Sequence, residues 1–320
     1  MKSKLIKPLS YKKHIKEWKS IIEDIRSDNR YDVMAVIDTE TTGGIRKKGG
    51  TGASIMELDD PEMRGKHHRI LEIGIIFCKR DKKTKLIESI KDSRGKDICI
   101  HEYLDPFSEP EEKRSALNTI PDIQKGAYIV HGITKAFLAG IEELKAGFDV
   151  NIKIDGRAAH FQDIVGDIIE LTATDDENLS PIYGACHNSS FDAPFLDFEF
   201  ENCLNENNEP YQRFQSIFLP FDTLHYFKDL VSKKEIAKLK KEYDVKKGEY
   251  SLDTLTSLMQ KSDFMKEEFD RDLHGAYKDV LITISVYNAL VKYSTSKQNK
   301  IKEPEKIMIN AFKRKSQLKI

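Results

Sequence analysis

Asp38 and Glu40 stand two residues apart at the end of the apolar run Val33-Met34-Ala35-Val36-Ile37. Side chains of a strand alternate with period two, so both carboxylates project from the same face. Two acids side by side at the end of an apolar strand repel one another and are costly to desolvate; a divalent cation that neutralises them removes both costs. An isolated Asp-x-Glu is a short motif of low specificity, and three further residues give it weight. Asp192 follows His187-Asn188-Ser189-Ser190-Phe191 at the start of a helical pattern, and His274 and Asp279 flank the start of another. Within one helix, His274 and Asp279 would lie about 140° apart and share no face. Placed instead in the loop before that helix, where Gly275 permits unusual dihedrals, the His274 imidazole swings over the site that Asp279 lines and serves as a mobile base.

These residues need elements to position them. Tyr11, Ile15, Trp18, Ile22 and Ile25 recur at helical spacing over 10–26, which predicts an amphipathic helix packed on the body. After the strand that carries Asp38 and Glu40, Gly43 and Gly44 open a polar insertion, 44–69, rich in Gly, Lys and Arg. A loop of that length beside an acid pair is commonly functional. The spans 69–79 and 97–104 read as two strands forming a hairpin sheet with the first, and Thr134 as a helix N-cap. Phe161, Ile164, Val165, Ile168 and Ile169 mark a helix, 181–186 a short strand leading into the His187–Asp192 segment, and 218–222 a further strand. A short helix over 251–259 and a last helix through Val280, Ile284, Tyr287 and Leu290 complete the pattern. Strands come first and alternate with helices later, which predicts an α/β fold with a mixed sheet flanked by helices.

The chain has 320 residues, 39% of them hydrophobic and 33% charged, enough to bury a substantial core beneath a highly charged surface. Cys78, Cys99, Cys186 and Cys203 show no paired-ligand spacing, so they predict neither a zinc site nor a disulfide framework. No apolar run is long enough to span a bilayer, and the expectation is a cytoplasmic protein with no membrane partner. The net charge of −1 is unevenly spread: residues 1–30 carry nine basic and four acidic side chains, and 297–320 carry eight and two. The body between them has a net charge near −12. A nucleic-acid substrate would therefore be held by bound cations, local basic loops and stacking contacts rather than by the net field. The division predicted is a helical extension over 1–30, a main domain over 31–296 containing the 44–69 insertion, and a basic tail over 297–320.

Three segments, in this order, carry a family resemblance: Asp38-Thr39-Glu40-Thr41-Thr42-Gly43, His187-Asn188-x-x-Phe191-Asp192 and His274-x-x-x-x-Asp279. They resemble the exonuclease motifs of the DEDDh 3′-to-5′ exonucleases, in particular the DnaQ-like group that includes the proofreading epsilon subunit of bacterial DNA polymerase III. Ile70-Leu71-Glu72-Ile73-Gly74, Val130-His131-Gly132-Ile133-Thr134, Asp222-Thr223-Leu224 and Ser251-Leu252-Asp253-Thr254-Leu255 add to the likeness, which spans residues 31–293.

The resemblance implies a ribonuclease H-like fold and two-metal phosphodiester hydrolysis. Asp38, Glu40, Asp192 and Asp279 would hold two Mg²⁺ or Mn²⁺ ions, and His274 would take the proton of the attacking water. Gly275 stands where a tyrosine-type variant would place its tyrosine, which favours the histidine type. Thr41, Thr42, His131, His187, Asn188 and Phe191 match family positions lining the terminal-nucleotide pocket. His131 and His187 also read as structural hydrogen-bond partners, and Phe191 as a core aromatic.

The expected activity is exonucleolytic removal of nucleotides from DNA 3′ ends in proofreading or repair. RNA 3′-end trimming of the RNase T or oligoribonuclease type is the alternative, and a non-catalytic nucleic-acid-binding or scaffold subunit a third. The terminal extensions, which depart from the plainest family pattern, could bind a polymerase or another protein.

Overall fold

The computed structural model describes residues 2–43, 46–47, 50–51, 68–108, 122–145, 150–173, 181–245, 248, 250–267, 269 and 275–296. The chain begins with β1 (Lys2–Ile6) and, after a 3-10 turn, α1 (Ile15–Ser27). Next comes β2 (Tyr31–Thr41), then two-residue strands β3 (Arg46–Lys47) and β4 (Gly50–Thr51), paired with each other. After β5 (Ile70–Asp81), β6 (Ile87–Ser89) and β7 (Cys99–Tyr103) come α2 (Lys125–His131), α3 (Lys135–Leu138), β8 (Leu144–Lys145), β9 (Val150–Ile154) and α4 (Phe161–Thr172). They are followed by β10 (Tyr183–Cys186), α5 (Ser189–Asn202), α6 (Phe214–Ile217), β11 (Leu219–Asp222), α7 (Thr223–Leu230), α8 (Lys233–Glu242), α9 (Leu252–Lys261) and α10 (Ala276–Ser296).

The main sheet has the order β11-β10-β2-β5, with β6 and β7 end to end along the outer edge of β5. β2, β10 and β11 are parallel and β5 runs antiparallel to β2. This is the mixed α/β sheet flanked by helices that the element pattern predicts. Because the three parallel strands share a direction, their carboxyl ends emerge along one edge, where open sheets of this class place their ligands.

Period-two alternation divides β2 between two cores. Val33, Ala35 and Ile37 pack with Trp18 and Ile22 of α1, Ile164, Val165 and Ile168 of α4, and Phe195 and Phe200 of α5. Met34 and Val36 pack on the other face with Leu255 and Leu258 of α9 and Val280, Val286 and Leu290 of α10. A strand covered on both faces must be apolar at consecutive positions, which is why 33–37 is an unbroken apolar run. The same alternation carries Asp38 and Glu40 onto the α10 face and Thr39 onto the α5 face.

The N-terminal segment differs from expectation. The expectation over 1–30 is a helical extension, yet Lys2–Ile6 is a strand that pairs in parallel with Val150–Ile154 in a small sheet of order β1-β9-β8. Val150–Ile154 alternates apolar and polar residues, whereas Lys2–Ile6 (Lys-Ser-Lys-Leu-Ile) does not, so no period-two pattern marks β1. α1 docks as predicted, with Trp18 and Ile22 buried, so its apolar stripe is spent on this chain's own core. Thr134 caps α3, its hydroxyl accepting from the Phe137 N–H at 2.9 Å. All four cysteines are free thiols. Among the described residues, no helix is long and apolar enough to cross a membrane.

One contact sets how closely α10 approaches the sheet. Gly74 of β5 lies opposite Asp38, and a Cβ placed on it would sit 2.7 Å from the backbone of Tyr277 in the first turn of α10. Only a residue without a side chain allows that approach. Gly74→Ala is expected to cost about 1–3 kcal/mol of stability through this overlap. Gly126→Ala in α2, where a Cβ meets nothing within 4 Å, should instead stabilise by up to about 1 kcal/mol. Urea denaturation of the two variants measures the contrast.

Candidate active site

The floor of the site is built at the carboxyl end of β2. Asp38 and Glu40 point toward α10, and Asp279 lies in the first turn of that helix, its N–H donating to the Gly275 carbonyl at 2.9 Å. Each of the three offers a carboxylate oxygen, and these oxygens all lie within 4.8 Å of one another. A carboxylate in the first helical turn is favoured by the helix dipole, but nothing in that placement removes the repulsion among three acids. Asp38 shows the consequence: burial, then the negative fields of Asp192, Asp279, Glu40 and Glu72, hold its carboxyl well above the usual range.

Asp192 arrives from the layer on the opposite face. It sits in the first turn of α5, almost fully buried. Its Oδ1 accepts from the Thr39 N–H at 3.1 Å and the Thr39 hydroxyl at 2.7 Å. Burial pushes its carboxyl up to about 7, with the Thr39 hydrogen bonds opposing the shift. The helix that carries it starts at Asn188, whose φ of +67° is a left-handed conformation that asparagine adopts more readily than most residues. This turn directly follows β10, which ends level with Ile37 of β2.

The acids lie in a cleft of about 630 Å³ whose lining includes Asp38, Thr39, Glu40, Asp192 and Asp279. Three of the six substrate-contact positions expected from the sequence, His187, Asn188 and Phe191, line it too. The His187 Nε2 donates to the Tyr250 carbonyl at 3.2 Å, and Nδ1 faces the Thr223 hydroxyl, also at 3.2 Å, which itself donates to the Cys186 carbonyl. Phe191 is 39% exposed and rests against Phe195 at 5.3 Å between ring centroids, so it is a cleft aromatic supported by the core rather than part of it.

The other three expected positions do not line the cleft, because they brace the strand end behind it. The Thr41 hydroxyl donates to the Gly43 carbonyl, and the buried Thr42 hydroxyl accepts from the Arg69 N–H and bonds the His68 ring. His131 accepts the Ile133 N–H at Nδ1, so Nε2 carries the proton and faces the Thr41 carbonyl at 3.2 Å. Burial lowers this imidazole below its ordinary range, in keeping with a neutral ring bonded on both sides to backbone. Arg69 adds a buried bidentate pair to Glu199 of α5, at 2.7 and 2.8 Å, tying the start of β5 to the helix of Asp192. His274 lies outside the described residues.

Several residues that the sequence reading did not assign also lie at the site. Val130, Lys228, Lys233 and Tyr250 line the cleft. Glu72 is paired across the ladder with Glu40, is almost fully buried, and is bonded to His101 at 2.8 Å. Glu72 belongs to the Ile70-Leu71-Glu72-Ile73-Gly74 segment, and strand alternation puts it on the same face as Gly74. The cleft lysines follow from the packing of α7 and α8, which no local periodicity encodes.

An all-carboxylate donor set suits hard, oxygen-preferring cations such as Mg²⁺ or Mn²⁺. The crowding of Asp38 by its acidic neighbours is the kind of strain that a bound divalent ion relieves, so the residues present fit the metal implied by the resemblance.

Comparison with known proteins finds no matching family model and no matching curated protein. Among solved structures, the chain is similar to E. coli exonuclease I in complex with a dT13 oligonucleotide, at 15% identity and a TM-score of 0.43 over 83% of this chain and 42% of that one. It is also similar to the zinc-bound form of an E. coli exonuclease I complex with single-stranded DNA, at 15% identity and a TM-score of 0.44 over 83% and 41%. The chain spans less than half the length of these exonuclease I chains.

The raised carboxyls give a pH signature. An unfolded aspartate titrates near 4, and Asp192 in the folded protein near 7. Between these values the native state binds a proton that the unfolded state releases, so stability falls as pH rises through about 7. The melting temperature of the metal-free protein should therefore drop from about pH 5 to about pH 8. Added Mn²⁺ should raise it more at the higher pH, where the carboxylates are ionised and binding competes less with protons; differential scanning fluorimetry measures both.

Proposed function

We propose that this chain is a metal-dependent 3′-to-5′ exonuclease that hydrolyses phosphodiester bonds at the ends of DNA strands. The observation that carries the reading is the convergence of Asp38, Glu40 and Asp279 within 4.8 Å in an open cleft, with Asp192 on the same wall. These acids come from a strand and two helices on opposite faces of the sheet, so only the folded chain assembles them.

Asp38, Glu40, Asp192 and Asp279 would hold the divalent ions. Bound there, such ions supply a nucleophilic water at neutral pH and neutralise charge that develops on the phosphoryl group and the leaving oxygen. The protein's own part is positional. The ladder between β2 and β5 fixes Asp38 and Glu40, Thr39 orients Asp192, and the close approach at Gly74 sets Asp279 against the strand. Phe191 offers a face on which a terminal base stacks, and stacking is tolerant of sequence. His187 and Asn188 add polar edges beside it. By the motif resemblance, His274 is assigned the proton of the attacking water; a neutral imidazole is basic enough for that at pH 7.

The acidic body explains why such a site would depend strictly on cations. Without them its field opposes the approach of a polyanion, and with them the local sign is reversed. The docking of α1 on the core leaves its polar face as the part of the N-terminal extension open to a polymerase or other partner.

The test is digestion of 5′-labelled single-stranded DNA and RNA of identical sequence with Mg²⁺, Mn²⁺ or EDTA. Stepwise shortening from the 3′ end should require metal and be faster on DNA. Asp38→Ala should lower the rate at least about a hundredfold, as expected for loss of several kcal/mol of charge stabilisation. Faster cleavage of RNA would make this an exoribonuclease, and equal activity of Asp38→Ala would remove the mechanism.

A further inference from the structure

The α7–α8 wall of the cleft differs in charge from the rest of the body. Between Lys228 and Lys241 the sequence carries six lysines against two acids, Asp229 and Glu235, within a central region whose net charge is near −12. Lys228 and Lys233 line the cleft, with the Lys228 ammonium 5.9 Å from the Tyr250 ring centre. From that point α8 leads away from the cleft. Ile236 and Leu239 are its buried residues. At 100° per residue, Lys234, Lys238 and Lys241 fall within an arc of about 60° on the side facing away from them.

All three lysines are exposed, and among the described residues they make no ion pair. Elsewhere on the surface Lys12, Lys79, Lys82, Lys91 and Lys135 each lie against a carboxylate. The one acid in the middle of this stretch, Glu235, is turned toward α10, where its Oε1 accepts from the Tyr293 hydroxyl at 2.7 Å. Three like charges are thus held on one helix face with no internal partner, an arrangement that an external polyanion would stabilise.

We propose that the exposed lysine face of α8 binds the phosphate backbone of the nucleic-acid strand whose 3′ end occupies the cleft, several nucleotides upstream of that end. This proposal rests on the nuclease reading and adds the substrate's second point of attachment. Lys234 and Lys241 are about 10.5 Å apart along the helix axis, a length matched by about three phosphates of one strand. Lysine serves as a flexible point charge, so the ridge grips the backbone without reading bases. The ridge starts at the cleft wall, and this favours a ligand continuous with the cleft's occupant over a separate acidic peptide.

The experiment uses the full chain and the triple variant Lys234→Ser, Lys238→Ser, Lys241→Ser, none of which lines the cleft. Binding of labelled 4-mer and 16-mer DNA is read by fluorescence anisotropy with Ca²⁺ across a salt series. Hydrolysis of the p-nitrophenyl ester of thymidine 5′-monophosphate with Mn²⁺ is read separately. The variant should bind the 16-mer at least about tenfold more weakly, with the log–log salt slope flatter by about 2. Its affinity for the 4-mer and its ester hydrolysis should match wild type. Equal loss on both lengths, or no loss on either, would overturn the ridge, as would displacement of the 16-mer from it by an acidic peptide at equal charge concentration. If wild type hydrolyses neither ester nor oligonucleotide, the nuclease reading fails, while the anisotropy contrast still decides whether the ridge binds a strand.

Discussion

Mutual repulsion among carboxylates gathered at one edge of a sheet is the constraint on which the rest of this structure depends. Asp38, Glu40 and Asp279 are closer together than three ionised groups in a partly buried site would choose, and Asp192 is desolvated beside them. The stability that holds them there must come from elsewhere. It is supplied by two apolar cores on either face of β2, one involving α1, α4 and α5 and the other α9 and α10. Each core delivers an acid to the same edge: α5 brings Asp192 and α10 brings Asp279.

The precision of the site comes from smaller devices. Gly74 lets the first turn of α10 lie against the strand opposite Asp38, and Thr39 uses both its N–H and its hydroxyl to fix Asp192. The register shift between Glu40 and Thr41 ends the regular ladder just past the acids. Beyond it, Thr42, His68, Arg69 and Glu199 tie the strand end to α5 with buried hydrogen bonds and an ion pair. Such a pair adds little net stability over an apolar substitute but is costly to break, so it favours one geometry over its alternatives. Thr41, Thr42 and His131 thus belong to the frame of the site, whereas His187, Asn188 and Phe191 belong to its surface.

Charge is arranged on two length scales. At short range the acids form a cluster of the kind that a divalent cation would neutralise. At longer range the acidic body and the lysines of α7 and α8 set opposite fields on neighbouring surfaces, and the cleft lies where they meet. A net charge of −1 conceals this arrangement entirely.

Local patterning is enough to read the main elements around the cleft and the acids they carry. An unbroken apolar run followed by Asp-x-Glu specifies a central strand with two carboxylates on one face, because alternation is a local property of extended backbone. Helical periodicity likewise located α1, α4 and α10. The pairing of Lys2–Ile6 with Val150–Ile154 was not legible, since Lys2–Ile6 lacks alternation and nothing local says which strands meet. Tertiary structure alone decided that Asp192 approaches from the opposite layer and that Lys228 and Lys233 turn into the cleft. It also decided that His131 is consumed by backbone hydrogen bonds. Those outcomes depend on how elements distant in sequence pack against one another, and packing is fixed by shape and burial across the whole fold rather than by the periodicity of any one segment.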